Sequence, residues 1–179
     1  NHVNMTISTF HSFCARVLRE ECKAIDYPSN FNVIDDDDQK KIIKDIIKEK
    51  EFDDKLLKIS NVLDYIANKK NNYVTPEMAL KQESGNGYGW QKASIYEAYD
   101  KILKKNFSFD FDDLIIETIK VFDKYEDILS KWQNRIKHIL VDEFQDVDAN
   151  QYRLLVQLAG KDNEVTVVGD PDQTIYTWR

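Results

Sequence analysis

Cysteine is nearly missing: Cys14 and Cys22 are the two in a chain of 179 residues. Eight positions apart in a helical pattern, they offer neither a disulfide framework nor the spacing of a zinc site, and they fit a reducing cytoplasm. Three scattered histidines add no transition-metal cluster to the expectation. Long apolar runs are also lacking. Segments such as Ile139-Leu140-Val141 fall far short of the roughly 20 residues that a bilayer-spanning helix needs, so no membrane contact is expected. The chain opens on Asn1-His2-Val3, with no initiator Met and no basic stretch followed by an apolar one, and reads as a cytoplasmic fragment. Basic excess is absent too: 25 Lys and Arg against 32 Asp and Glu give a net charge of −7. A free-standing, nonspecific nucleic-acid binder carries the opposite balance, so any DNA contact must be local. No internal repeat occurs.

What is present suits a water-facing globular chain with a sizeable core: 42% hydrophobic and 32% charged residues. The charge is uneven. Residues 109–148 hold eleven acids against five bases, a net of −6, whereas residues 53–105 hold nine Lys against seven acids, a net of +2. High Lys, Asn and Ile usage hints at an A+T-rich bacterial genome.

Periodicity predicts helices through most of the chain. Phe10, Phe13, Cys14, Val17, Leu18 and Ile25 share one face over 9–26, with Ser8 or Thr9 as N-cap. Asp35 to Asp38 precede Ile42, Ile43, Ile46 and Ile47, and acids at this place read as a helix start rather than a metal site. A helix is expected over 55–69, and Thr75-Pro76 reads as a cap with Pro at the first helical position. The glycine-rich stretch Ser84 to Gly89 has no strand before it and no Gly-Lys-Ser/Thr after it, so it reads as a helix connector rather than a phosphate loop. Helices follow over 90–105 and 110–130. The pattern then changes to two short β-favouring runs, Ile136–Val141 and Val165–Val168, which bracket a helix over 149–159 that stops at Gly160. Strand, helix and strand make a right-handed βαβ unit with parallel core strands, in which His138 is expected to be a packed core histidine.

Both strands end in polar clusters, Asp142-Glu143-Phe144-Gln145-Asp146 and Gly169-Asp170-Pro171-Asp172-Gln173. Ligands bind at the carboxyl edge of a parallel sheet. One carboxylate there can hold Mg²⁺ and its neighbour can accept a proton from an attacking water, as phosphoanhydride hydrolysis requires. A strand that ends in Asp-Glu can also be no more than a solvated loop start.

The combination narrows the choice. Val141-Asp142-Glu143-Phe144-Gln145-Asp146 and Gly169 through Trp178-Arg179 resemble motifs II and III of superfamily 1 DNA helicases of the UvrD/PcrA/Rep type. Thr9-Phe10-His11-Ser12-Phe13-Cys14 resembles their DNA-contacting motif Ic, and Phe109-Asp110-Phe111-Asp112-Asp113-Leu114 resembles motif Id. The resemblance implies an α/β chain: part of a RecA-like, parallel-sheet P-loop NTPase domain, residues 1–27 and 109–179, with a mostly helical inserted subdomain at 28–108.

Roles follow residue by residue from the resemblance. Asp142 would coordinate Mg²⁺, Glu143 would orient and deprotonate the attacking water, and Gln173 would hydrogen-bond the γ-phosphate of ATP or its water. Arg179 would link the nucleotide site to the DNA site. Tyr176 and Trp178 would present aromatic faces to single-stranded DNA, while Thr9, Phe10 and His11 would lie at the DNA. Asp112 and Asp113 would either position the DNA-binding surface or cap a helix. Without the motifs, Tyr176 and Trp178 would be read as core and His11 as a capping or surface residue. Implied partners are ATP, single-stranded and fork DNA, and DNA-repair proteins. One element of a complete helicase is missing: no Gly-x-x-x-x-Gly-Lys-Ser/Thr loop occurs in residues 1–179, and the family places it ahead of motif Ic. The chain by itself is therefore expected to be inactive. The parent is expected to be an ATP-dependent 3′-5′ helicase or the helicase subunit of a helicase–nuclease; a noncatalytic DNA- or protein-binding module is the alternative.

Overall fold

A computed structural model of the chain describes residues 5–83, 85, 87–170 and 172. In chain order the elements are α1 (Phe10–Glu20), β1 (Asn32–Val33), α2 (Asp36–Glu49), α3 (Ile59–Asn71), α4 (Pro76–Gln82), α5 (Tyr88–Lys105) and β2 (Ser108–Phe109). They continue with α6 (Phe111–Lys124), α7 (Glu126–Arg135), β3 (His138–Val141), α8 (Ala149–Ala159) and β4 (Glu164–Val167). The molecule is mixed α/β, mostly helical, with short parallel strands. Among the described residues no helix is long and apolar enough to cross a membrane. The chain divides into two compact units, one formed by Asn1–Asp26 with Ile115–Arg179 and the other by Tyr27–Leu114.

The Tyr27–Leu114 unit is helical because its sequence caps and patterns helices. Asp35 accepts the backbone N–H of Asp38 and Asp38 returns the bond, a reciprocal box that starts α2 and satisfies donors the helix cannot. The acidic run is thus a helix start. From there α2 buries Ile43, Ile46 and Ile47 against Val62 and Ile66 of α3 and Tyr96, Tyr99 and Leu103 of α5. Each such aliphatic side chain contributes about 1.5–3 kcal/mol on burial. Thr75 caps α4 with Pro76 at its first position, and Gly87 precedes α5. Of the glycine-rich stretch, Gly85 and Gly87 lie between these two helices, whereas Tyr88 and Gly89 already belong to α5. One feature left no periodic trace in the sequence: β1 and β2 pair in parallel over two residues each, and Tyr27 stacks on Phe109 at 4.4 Å beside them.

In the other unit α1 begins at Thr9, as its hydroxyl allows, but ends at Glu20. The remaining turn, Cys22–Ile25, is a tighter 3-10 helix closed by Asp26 in the left-handed region, φ 55°. The expected 110–130 helix is broken at Tyr125, whose extended backbone (φ −119°, ψ 93°) separates α6 from α7. Trp132 explains the break, since α7 must turn to bury that indole, which is 1% exposed. The indole N–H donates to Glu21 at 3.0 Å, and the Arg135 guanidinium lies 4.7 Å over the ring while holding Glu20 through two contacts. That guanidinium keeps the Glu20 carboxyl below its ordinary range.

The βαβ unit is present: α8 runs from an Asp148–Gln151 box to Gly160, and β3 and β4 pair in parallel from His138↔Glu164 to Val141↔Val167. Two expectations fail. Only Val141 of β3 is buried, Leu140 of that strand being 67% exposed, and all four residues of β4 are exposed. His138 is accordingly not a core histidine. It is exposed, in contact with Thr166 at 3.0 Å and Glu164 at 3.4 Å. Continuous apolarity marks a strand that can be covered on both faces; among the described residues most of that surface is open.

Candidate nucleotide site

The parallel ladder does not stop where the strands do. Val168 N–H donates to Val141 O at 2.8 Å and Phe144 N–H to Val168 O at 2.9 Å, so the two following loops leave the sheet side by side. Between those bonds the backbone reverses at Glu143, which is left-handed (φ 50°, ψ 44°). Asp142 Oδ1 accepts the Glu143 N–H at 2.9 Å, and a 3-10 turn, Phe144–Asp146, follows. A non-glycine residue in this region carries strain of order 1–3 kcal/mol. The conformation sets two adjacent, exposed carboxylates at the carboxyl end of β3.

Gln145 stitches the loops together. Its amide nitrogen donates to Glu143 Oε2, and its carbonyl oxygen accepts the Asp170 N–H at 3.1 Å. Gly169 makes this approach feasible, because a Cβ there would lie 2.5 Å from Gln145 Oε1 and 3.2 Å from Phe144 N. Asp170 Oδ1 in turn accepts the Asp172 N–H at 2.9 Å. The structure thus brings Asp142, Glu143 and Asp170 to one edge. The sequence signals the bridge through Gln145 only by its place two residues after Glu143. Among the described residues no three His, Cys, Asp or Glu side chains come together as a metal cluster; a single carboxylate is nonetheless a hard oxygen donor of the kind Mg²⁺ takes beside water and phosphate oxygens, and a carboxylate held by an amide can still accept a proton.

The other candidates lie elsewhere. Thr9 is exposed and spends its hydroxyl on α1, accepting the Ser12 N–H at 3.1 Å. Phe10 and His11, both half-buried, occupy the first turn of that helix. Gln173, Tyr176, Trp178 and Arg179 lie outside the described residues.

Asp110 and Asp113 form a reciprocal box at the start of α6, with N–H to carboxylate distances of 3.0 and 2.9 Å. Lys70, which the sequence did not flag, donates to both at 2.8 and 2.9 Å while only 7% exposed. Asp112 instead accepts from the Asn71 side chain at 3.2 Å. Burial pushes the Asp113 carboxyl up to about 7, against the pull of Lys70. Asp110 is held below the ordinary range despite its burial, by the Lys70 charge and by hydrogen bonds from Lys70, Asp113 and Tyr99.

Comparison with known proteins shows the family. The family described as UvrD/REP helicase N-terminal domain matches residues 1–179. The chain is 42% identical over 173 residues to a protein named ATP-dependent DNA helicase PcrA from Staphylococcus epidermidis ATCC 35984, covering 97% of this chain and 24% of the relative. It is 41% identical, with the same coverage, to the protein of that name from Staphylococcus aureus Mu50. The chain therefore spans about a quarter of the length of the curated relatives it matches. With four sequence motifs in order and two strand ends that present paired carboxylates, the chain belongs to the UvrD/REP helicase family, in its N-terminal domain.

Proposed function

We propose that this chain is the stretch of an ATP-dependent DNA helicase that supplies the metal ligand and the base for ATP hydrolysis. The observation that carries the reading is the Asp142–Glu143 pair at the carboxyl end of β3, joined through Gln145 to the loop after β4. On this reading the unit containing β3 and β4 is part of a RecA-like domain, and the Tyr27–Leu114 unit is its inserted helical subdomain. Asp142 would hold Mg²⁺, directly or through water, and Asp170 lies at the same edge. The ion, when bound with ATP, neutralises charge on the phosphates during transfer. Glu143 would take the proton from the attacking water, with Gln145 fixing its carboxylate. Gln173 and Arg179 would act at the γ-phosphate and between the nucleotide and DNA sites.

The DNA side rests on Thr9, Phe10 and His11 at the start of α1 and on Tyr176 and Trp178, whose rings would stack on bases of single-stranded DNA. The whole protein would move 3′-5′ along that strand and open duplex or forked DNA in repair or replication, in the bacterial cytoplasm.

The test separates the two carboxylates in the full-length parent. Glu143→Gln keeps the shape but cannot accept the proton, so kcat should fall by at least ~10²-fold while nucleotide affinity persists. Asp142→Ala should instead weaken Mg²⁺-dependent nucleotide binding. Titration of a fluorescent nucleotide with and without Mg²⁺, beside steady-state turnover, measures both effects. Normal turnover by Glu143→Gln would remove the base assignment.

A further inference from the structure

A chain with a net charge of −7 takes nucleic-acid phosphates best through cations that its own carboxylates leave unpaired. The surface where α1 meets α7 lies wholly inside the unit formed by Asn1–Asp26 with Ile115–Arg179, and its cations differ sharply in this respect. Arg135 is tied to Glu20 through two hydrogen bonds, and Lys131 is paired with Glu21. Arg16 is exposed, and none of the ion pairs at this surface includes it. Glu20, one turn further along α1, feels the Arg16 charge, but that carboxylate is held first by its hydrogen bond from Arg135. What holds Arg16 instead is aromatic. Its guanidinium carbon lies 5.9 Å from the centre of the Phe13 ring and 5.7 Å from that of Trp132, and the two rings meet edge to face at 5.7 Å. Trp132 is itself fixed, 1% exposed with its N–H on Glu21.

A cation over an aromatic ring is attracted by the ring's negative face and spends no N–H donor on it. The planar guanidinium is thereby steadied while its donors stay available, the form in which arginine takes phosphate oxygens two at a time. Position adds a second observation. Thr9, Ser12 and Arg16 are all exposed and fall at helical spacing along one face of α1, with Arg16 two turns, about 10 Å, beyond Thr9. Thr9 spends its hydroxyl on the helix start and brings no charge to a phosphate, whereas Arg16 brings one. We propose that Arg16 is a DNA-contacting residue: its guanidinium, held over Trp132 and Phe13, binds a backbone phosphate of a single strand that passes along α1. This rests on the helicase reading above and extends its DNA surface two turns beyond Thr9. The contact is to phosphate, so it carries no base preference.

The experiment uses the full-length parent and compares wild type, Arg16→Met and Arg16→Lys. A fluorescent oligothymidylate is titrated at several salt concentrations, and thermal melting is followed for each protein. Arg16→Met keeps an apolar stem over Trp132 without the charge. It should lose about tenfold in affinity at low salt, the lower end for a hydrogen bond to a charged group. Its slope of log affinity against log salt should shrink by about 0.7, the value of one phosphate contact on a single strand. Arg16→Lys, which restores the charge, should keep the wild-type slope and lose less affinity. A folded Arg16→Met protein with the wild-type slope, whatever its melting temperature, would make Arg16 merely a cover for Trp132 and overturn the proposal. A second measurement needs no variant: wild type is treated with an arginine-specific dicarbonyl reagent, with and without the oligonucleotide, and the modified residues are located by mass spectrometry. Arg16 should react in the free protein and be protected by DNA; equal modification in both samples, or none in either, overturns the proposal as well. Wild-type parent that does not bind the oligonucleotide overturns the helicase reading itself and is told apart by that control.

Discussion

Glu143 sits in a backbone region that L side chains enter at a cost, with φ 50°, at the carboxyl end of β3. Glycine enters that region freely but gives up more chain entropy on folding. Glu143→Gly should therefore leave the 179-residue chain as stable as before or more stable, by up to about 1 kcal/mol in urea unfolding, while it removes the proposed base. A clear loss of stability would mean that the bond from Gln145 outweighs the strain. The cysteines show the same dependence on surroundings. Cys14 is fully buried and its thiol is pushed up to about 12 by desolvation, whereas Cys22 is half-buried at the start of the 3-10 turn. Thiolate is the reactive form, so at pH 8 a disulfide reagent should titrate one thiol in the folded chain and the second only after denaturation. Two fast thiols would contradict the burial of Cys14.

The start of α6 carries a pH dependence whose sign can be worked out. Burial pushes the Asp113 carboxyl up to about 7 in the folded chain, above its ordinary value of 3.8. A folded-state value raised in this way contributes stability that is fully present below 3.8 and is lost as pH rises through about 7. Asp110 is shifted downward, so its contribution changes only at more acid pH and leaves the window between 5 and 8 to Asp113. Wild-type chain should thus lose stability from pH 5 to pH 8, and Asp113→Asn, which can still accept from Lys70, should flatten that slope. Urea midpoints at pH 5, 6, 7 and 8 decide it; an equal slope in the variant would place the titration elsewhere. The motif at 109–114 was legible as a pattern in the sequence, but its partner Lys70 lies about 40 positions away. No local rule singles out one lysine among the nine between 53 and 105.

For the molecule as a whole, the proposed chemistry needs more than a ligand and a base. Phosphates must be held in line with water, and residues 1–179 contain no Gly-x-x-x-x-Gly-Lys-Ser/Thr loop to do so. The 179-residue chain should release no phosphate from millimolar Mg·ATP above a Glu143→Gln control, and turnover near that of an intact helicase would show the loop to be dispensable.

The sequence by itself determined the helix starts at Ser8 or Thr9, at Asp35 and at Thr75, the helix over 149–159 with its stop at Gly160, and the parallel strand pair. Caps, apolar period and short β-branched runs are local properties, read within a few residues. It also determined the family, because the motif residues keep their order along the chain. Tertiary structure alone decided the break at Tyr125, the exposure of His138, the bridge through Gln145 and the burial of Lys70. Each depends on which distant segment packs alongside: α7 turns to bury Trp132, β3 and β4 are largely uncovered among the described residues, and a lysine becomes buried only where two carboxylates meet it. Burial and pairing at long range are set by that packing, and a local pattern carries no record of it.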